Sequence, residues 1–291
     1  MNKTSFLLVF LMSLCFLIDS TQEIKAESSL ETTLTIDSST KEDTILTYYY
    51  VKRPVPVKIQ YADTSKATLI VLPGWNLKAT EWCEKTALCK KAKEQGFDLV
   101  FVEMQRSVYL KEYYPQTRSD YKDYPTRSWL MDTVIHPLLA KKILTNTNPV
   151  FVLGLSTGGR GAAILALENP GIFSGAASLS GDFNPLLQKN DALMINSLGP
   201  YSKFPELWNG DNNMSKRAKE FTVPLYIGHG QQDKVCPLIQ STDFVKTLKI
   251  AQPTLRVVSH FPANYGHTYA YWNSEVDAVL NFFKSINPKN Q

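Results

Sequence analysis

The sequence predicts one doubly wound α/β domain with a mostly parallel sheet, and two observations lead to that prediction. The first is a series of short, nearly continuous apolar runs, at residues 67–74, 97–104, 149–156, 173–180, 223–230 and 254–261. The second is a series of helix-like segments between and after them, at residues 79–95, 127–145, 157–168, 236–249 and 269–285. Continuous apolar strands indicate burial on both faces, and alternation with helices indicates parallel pairing through right-handed crossovers.

Two stretches depart from this alternation. Residues 47–61, TYYYVKRPVPVKIQY, combine aromatic and β-branched residues with two prolines, which favours antiparallel edge strands. Residues 182–220 form a long polar and aromatic stretch that no apolar run interrupts. An insertion of this length in a compact domain is typical of a lid or cap over a binding site. The predicted domain therefore spans residues 46–291 and carries a lid at residues 182–220.

The first residues predict export. Lys3 precedes an apolar run from Phe6 to Ile18, and a polar stretch then leads to Ala26, after which we expect cleavage of a signal peptide. The run is short for a membrane span, and an uncleaved anchor is the alternative. Residues 27–45 are rich in Ser, Thr, Glu and Asp and predict a mobile leader. With residues 1–26 removed, we expect a secreted or periplasmic protein without stable membrane insertion.

Composition narrows the classes of partner and cofactor. The formal net charge of +4 is spread along 291 residues without basic runs, which argues against a nucleic-acid partner. Three cysteines follow the signal peptide; Cys83 and Cys89 could pair in an oxidising compartment, and Cys236 is left over. The four histidines are too scattered to indicate a metal site, and we expect no metal.

The stretch NPVFVLGLSTGGRGAAILALENP, residues 148–170, contains the candidate nucleophile. Ser156 stands at the carboxyl end of a buried strand, where ligands bind in parallel α/β sheets. Gly154 and Gly158 bracket it, because a side chain at either position would collide in a sharp turn from strand to helix. The helix that follows directs its N-terminal amides towards the serine. The pattern therefore predicts Ser156 as a nucleophile, with a plain structural turn as the alternative.

A serine nucleophile needs a base that takes its proton and an acid that orients the base. For a nucleophile on this kind of turn, the expected chain order is serine, acid, histidine. Asp233 follows the strand VPLYIGHG and His267 follows the strand TLRVVSHF, so each lies in a loop at the carboxyl end of a predicted strand. We predict Asp233 as the acid and His267 as the general base.

Four other residues compete for these two roles. Asp182 also follows a strand and is the alternative acid. His260 lies at the end of its strand and is better explained as a structural histidine. We expect His229 to shape the turn that holds Asp233, and we expect His136 to be structural.

The tetrahedral intermediate of such a reaction needs hydrogen-bond donors. One is expected from the backbone N–H of Thr157, directly after the nucleophile. The other is expected from the N–H of Trp75, in the loop after the strand ATLIVL, where Gly74 lets the backbone turn. An ordinary turn is the alternative explanation of this loop.

Aromatic side chains are the candidates for substrate contact. Residues 106–129 are dense in Tyr and Arg and follow a strand end, so Tyr109 and Tyr114 could line the acyl or alcohol pocket. Trp208, in the predicted lid, is a third candidate. The alternative is that these rings only pack on the body of the protein.

Three stretches carry a family resemblance: GLSTGGRGA at residues 154–162, LENP with LSG at residues 167–181, and GH with YW at residues 266–272. Through them the chain resembles the secreted esterases of the α/β-hydrolase fold. That family includes esterase D, feruloyl esterases, enterochelin esterases and the mycolyltransferases of the antigen 85 group. The family usually carries Met after the nucleophile, where this chain has Thr157.

The resemblance implies hydrolysis of carboxylic esters through an acyl-enzyme, without a metal or organic cofactor. The expected substrate is a small-molecule or glycan-linked ester, and the resemblance does not define its acyl or alcohol part. Two alternatives use the same residues: an acyltransferase of the mycolyltransferase type, which passes the acyl group to a sugar hydroxyl, and a serine peptidase on the same fold. A binding protein on a hydrolase scaffold is disfavoured because every triad position is filled.

Overall fold

The computed structural model describes residues 41–144 and 148–286. The predicted signal peptide and most of the predicted leader lie outside the described residues. None of the helices in this described part of the chain has the length and apolar character needed to span a membrane.

An eight-stranded sheet forms the centre of the domain. Its strands are β1 (Thr44–Tyr50), β2 (Arg53–Gln60), β3 (Ala67–Leu72), β4 (Phe97–Val102), β5 (Val150–Leu155), β6 (Phe173–Leu179), β7 (Leu225–Gly228) and β8 (Val257–His260). In space they follow the order β1-β2-β4-β3-β5-β6-β7-β8. Strands β3 to β8 pair in parallel, whereas β2 pairs antiparallel with both β1 and β4. Each apolar run contains one parallel strand, so the predicted fold class is confirmed.

The two antiparallel strands differ from the prediction in detail, because only β1 lies at an edge. Pro54 and Pro56 lie in β2, which pairs with β4 only from Val57 to Gln60. The prolines precede that ladder, so their missing N–H groups remove no hydrogen bond to β4. Strand β1 begins at Thr44, inside the predicted leader, because alternate side chains of the strand pack against the core.

Helices cover both faces of the sheet. They are α1 (Glu81–Lys85), α2 (Leu88–Glu94), α3 (Arg127–Trp129), α4 (His136–Ala140), α5 (Thr157–Glu168), α6 (Ala192–Leu198), α7 (Pro205–Asn209), α8 (Ile239–Ala251), α9 (Tyr269–Ser274) and α10 (Val276–Ser285). Apolar side chains of α4, α5 and α8 pack on one face, and those of α1, α2, α9 and α10 pack on the other. Within β3, Ile70 and Leu72 face the first layer, whereas Leu69 and Val71 face the second. The sheet is therefore doubly wound.

Three segments predicted as continuous helices are interrupted. Residues 79–95 form α1 and α2, and a disulfide between Cys83 and Cys89, with Cα atoms 5.1 Å apart, joins these two helices. Residues 269–285 form α9 and α10. Between α3 and α4 the chain forms a π-helical turn, Leu130–Ile135, just before Pro137, which has no N–H to donate to the preceding turn. Apolar periodicity locates such segments but does not show where their hydrogen bonding breaks.

The predicted lid segment lies between β6 and β7 and contains only short helices. Besides α6 and α7 these are the 3₁₀ turns Pro185–Gln188 and Ala218–Glu220. The segment packs against the loop after β4 through a buried apolar cluster composed of Val108, Leu110, Met194, Leu198 and Trp208. Both loops leave carboxyl ends of parallel strands, so the cluster lies at the edge of the sheet that also carries Ser156.

Buried Asn212 ties the lid segment to the body of the domain. Its Oδ1 accepts a hydrogen bond from Arg127 (3.2 Å), its backbone O accepts one from Arg160 (2.8 Å), and its Nδ2 donates to the hydroxyl of Tyr114 (2.9 Å). Arg127 in turn makes a two-pronged ion pair with Glu168, 2.7 Å for each contact. The segment is thereby anchored to α5 and to the loop after β4.

Candidate active site

Ser156 lies at the tip of a sharp turn between β5 and α5. Its φ of 55° and ψ of −126° are sparsely populated by residues other than glycine. A Cβ atom on Gly154 would come within 2.0 Å of the backbone O of Gly158, and one on Gly158 within 2.4 Å of the backbone O of Pro73. Only glycine fits at these two positions, because the chain passes so close to itself.

Neighbouring elements hold this turn in place. The N–H of Ser156 donates to the O of Leu179 at the end of β6 (2.8 Å), and the O of Ser156 accepts from the N–H of Arg160 (3.1 Å). Ser156 is partly exposed, whereas Leu155 and Thr157 on either side are buried. The turn therefore presents the serine, and not its neighbours, to the surface at the carboxyl edge of the sheet.

Asp233, in the loop after β7, is surrounded by hydrogen-bond donors. Its Oδ1 accepts from the N–H groups of Val235 and Cys236 (both 2.8 Å), and its Oδ2 lies 2.6 Å from Nδ1 of His267. Burial alone would raise the pKa of Asp233, but hydrogen bonds from His229 and His267, the charge of His267 and the N–H of Cys236 hold it well below its usual range. The carboxylate is therefore ionised at neutral pH.

His267, in the loop after β8, is paired with this carboxylate and is linked to the end of β6 through Trp272. Its ring makes an edge contact with Trp272, with centroids 5.2 Å apart. Nε1 of Trp272 donates to Oγ of Ser180 (3.2 Å), the residue next to the Leu179 carbonyl that accepts from Ser156. The structure thus brings Asp233 and His267 together and links them to the serine turn through Trp272 and β6.

The residues that competed for these roles have other partners. Asp182 makes a buried ion pair with Arg160 (2.7 Å). His260 bonds through Nδ1 to buried Glu275 (2.8 Å), and its own side chain is 57% exposed. His136 is exposed beside Asp132. Within residues 41–144 and 148–286, no group of three or more His, Cys, Asp and Glu side chains could hold a metal ion.

We expect Asp233→Asn to lower kcat by about 10⁴-fold, since an amide can neither hold the histidine in its working tautomer nor stabilise its charged form. Asp182→Asn should lower the kcat of folded protein less than about tenfold, although removing the partner of buried Arg160 destabilises the fold by about 3 kcal/mol. Steady-state kinetics at 25 °C, on samples checked by circular dichroism, compare the two variants. A larger loss in Asp182→Asn would move the acid to the end of β6.

The loop after β3 passes directly beside the serine. A Cβ atom on Gly74 would lie 3.1 Å from Cβ of Ser156. The loop is fixed by a hydrogen bond from the N–H of Asn76 to the O of Gln105 (2.8 Å). Among the described residues, no acceptor takes the N–H of Trp75 or that of Thr157, the first residue of α5. Both N–H groups are therefore free to donate to a bound group, and their role as oxyanion donors stays a prediction.

Two of the three predicted substrate contacts need correction. Tyr109 is 0% exposed, and its hydroxyl donates to the O of Pro73 (2.9 Å), so it supports the loop after β3 from inside. Trp208 is also 0% exposed, and its Nε1 donates to the O of Gly199 (2.9 Å) within the lid segment. A fully buried ring offers no surface to a substrate. Tyr114 is only partly buried, and its role in substrate binding stays a prediction.

The strand order and the positive-φ serine between β5 and α5 are those of the α/β-hydrolase fold. The class of protein that this fold and this serine define is the serine hydrolases. The family model described as "Putative esterase" matches residues 69–283. The chain belongs to this esterase family and is a serine esterase.

Similar proteins agree with this family. The chain is 27% identical over 267 residues to the diacylglycerol acyltransferase/mycolyltransferase Ag85C of Mycobacterium leprae (strain TN), covering 79% of each chain. An S-formylglutathione hydrolase from Agrobacterium tumefaciens superposes with a TM-score of 0.67 at 14% identity, covering 82% of this chain and 93% of that one. FphF, a fluorophosphonate-binding serine hydrolase of Staphylococcus aureus, superposes with a TM-score of 0.65 at 17% identity. This superposition covers 82% of this chain and 97% of FphF. At these identities the two superpositions show the shared fold.

Proposed function

We propose that the chain hydrolyses carboxylic esters through an acyl-enzyme formed on Ser156, with His267 as general base and Asp233 as the acid of the triad. The observation that carries this proposal is the 2.6 Å pair between Asp233 and His267, in loops that leave the same sheet edge as the serine turn. The linkage from His267 through Trp272 to the end of β6 supports a histidine directed at the serine.

The proposed reaction steps depend on which ring nitrogen of His267 is bonded to Asp233. Nδ1 of His267 donates to Asp233, so Nε2 has a lone pair with which to take the proton of the Ser156 hydroxyl. The serine oxygen attacks the ester carbonyl, and the negative charge on the carbonyl oxygen is met by the N–H groups of Trp75 and Thr157. Collapse breaks the bond to the alcohol, which leaves with the proton from His267. The acyl-enzyme is then attacked by water in the same way, which releases the acid and restores the serine.

Transfer of the acyl group to an alcohol is the second candidate, because the curated relative Ag85C is named as an acyltransferase. It differs from hydrolysis only in the second step, where a sugar hydroxyl replaces water. The substrate in either case is a small-molecule or glycan-linked ester. A serine peptidase on the same fold is the remaining alternative.

We also propose that the protein is exported to the periplasm or beyond the cell. The expectation of a signal peptide at residues 1–26 supports this, and so does the disulfide between Cys83 and Cys89. Structural disulfides persist in oxidising compartments and are rare in the cytosol.

A panel of p-nitrophenyl esters of increasing acyl length, followed by feruloyl and acetyl-sugar esters, tests the reaction. We expect release of free acid at a rate that is unchanged when a sugar acceptor is added, and no dependence on added metal. Chromatography of the products measures the partition between acid and acylated sugar. Acylated sugar as the main product would establish the transferase, and a folded protein inactive on every ester would contradict the proposal.

A further inference from the structure

A second histidine, His229, contacts the same oxygen of the triad acid as His267 does, Oδ2 of Asp233. It directly follows β7, is 0% exposed, and its N–H donates to the O of His260 on β8 (3.0 Å). Its Nε2 lies 2.9 Å from the O of Cys236 and 3.2 Å from Oδ2 of Asp233. This buried ring has no role in the proposed steps of ester hydrolysis.

The neighbours of His229 define its tautomer. Nε2 faces a carbonyl and an ionised carboxylate, and both of these groups can only accept. Nε2 therefore carries the hydrogen, which is shared between these two groups, and the carbonyl oxygen is the nearer of them. Nδ1 lies 2.8 Å from Oγ of Ser241, whose hydroxyl can donate. A neutral ring with its hydrogen on Nε2 thus satisfies every neighbour, including Ser241 at the start of α8.

The same contacts hold both ends of the loop from Asp233 to Cys236. The N–H of Cys236 donates to Oδ1 of Asp233, while the O of Cys236 accepts from His229. The hydrogen shared by His229 also reaches Oδ2, the oxygen that binds His267. Without His229, this oxygen keeps, among the described residues, only the contact to the catalytic histidine, and the loop from Asp233 to Cys236 loses one of its buried contacts.

We propose that His229 is a positioning residue, which holds the Asp233 carboxylate in the orientation that His267 needs. This inference rests on the proposed function, because it assigns to His229 a task only if Asp233 is the triad acid. His229 itself exchanges no proton during the reaction. It acts through geometry, where a displacement of about 1 Å can cost about 100-fold in rate.

His229→Leu tests the proposal by removing the donor while filling the cavity. We expect kcat to fall about 10- to 100-fold with KM within about threefold, since the substrate does not touch this residue. His229→Gln places an amide donor near the position of Nε2 and should keep kcat within about threefold of the unchanged protein. The matched control is His260→Gln, because His260 also bonds a buried carboxylate but not that of Asp233; its kcat should stay within about twofold.

A spectroscopic readout separates positioning from a general loss of stability. The proton in the 2.6 Å bond between His267 and Asp233 should give a far-downfield ¹H NMR signal. We expect this signal to move or broaden in His229→Leu and to remain in His260→Gln. Should His229→Leu fail to fold, Ser241→Ala removes the partner of Nδ1 and should lower kcat at least about threefold with the same loss of signal.

The inference is overturned if His229→Leu and Ser241→Ala keep kcat and the downfield signal and lose only thermal stability. It is also overturned if His229→Gln is as impaired as His229→Leu, because the donor would then not be what matters. Failure of the proposed function has a different signature, in which His267→Gln remains active in the same assays.

Discussion

Replacing Ser156 by alanine should abolish ester hydrolysis while leaving the fold intact. We expect kcat/KM to fall by at least about 10⁴-fold, because loss of the nucleophile removes the acyl-enzyme route. Alanine has the size of serine without the hydroxyl, so the turn with φ of 55° carries no more strain than before. Initial rates with an ester from the panel, together with circular dichroism and thermal unfolding, measure both parts of this expectation.

The control is Ser174→Ala, at the far end of neighbouring strand β6 and partly buried. This variant should keep kcat/KM within about twofold, since no catalytic group lies near it. If Ser156→Ala kept substantial activity, beyond what contamination explains, Ser156 would have only a structural role in the turn and would not be the nucleophile.

His267→Gln should remove nearly all activity, by about 10⁴-fold or more in kcat. Glutamine can accept a hydrogen bond at its amide oxygen but cannot take a proton, so the serine hydroxyl stays unactivated. Fluorophosphonate labelling of Ser156 should slow in parallel, because it needs the same activated oxygen. Kinetics and labelling rates on the same samples check the prediction.

The pH profile of the unchanged protein follows from the same assignment. The imidazole of His267 must be neutral to act as a base. The pKa of Asp233 lies well below its usual range, so the carboxylate stays ionised through the whole acid limb. The acid limb should therefore reflect the loss of one proton, so log(kcat/KM) should rise with unit slope and then reach a plateau. A slope of two would indicate that a second group must also lose its proton.

His260→Gln is the matched control for His267→Gln. His260 is bonded to Glu275 and lies outside the serine turn and its partners, so its loss should affect mainly stability. If His260→Gln were inactive though well folded, and His267→Gln active, the base would have to be reassigned to the end of β8.

Much of the fold and of the candidate site could be predicted from the sequence because both follow from local patterns. Apolar runs located the parallel strands, since strands buried on both faces are mostly apolar; β8, at the edge of the sheet, lies in such a run although it is only partly buried. The glycine-bracketed serine and the chain order of acid and histidine located the candidate residues, and Asp233 and His267 do meet at 2.6 Å. Each of these patterns can be read directly from the order of residues in one sequence.

What could not be predicted depends on contacts between distant segments. Tyr109 and Trp208 are aromatic residues in loops, and nothing local shows whether such a ring faces a pocket or packs inward. The sequence suggested that His229 shapes a turn, but its contact with Asp233 depends on how the loop folds back. Trp272 is similar: it lies five residues after His267, yet only the structure shows its ring against the imidazole.

The most direct test of the account is to identify the residue that a fluorophosphonate modifies. Purified protein is labelled at neutral pH, digested, and its peptides are analysed by mass spectrometry, with Ser156→Ala treated in parallel. We predict one modified residue, Ser156, within the peptide that carries GLSTGGR, and no labelling in Ser156→Ala. A stable adduct on any other residue, or full labelling of Ser156→Ala, would contradict the assignment of the nucleophile.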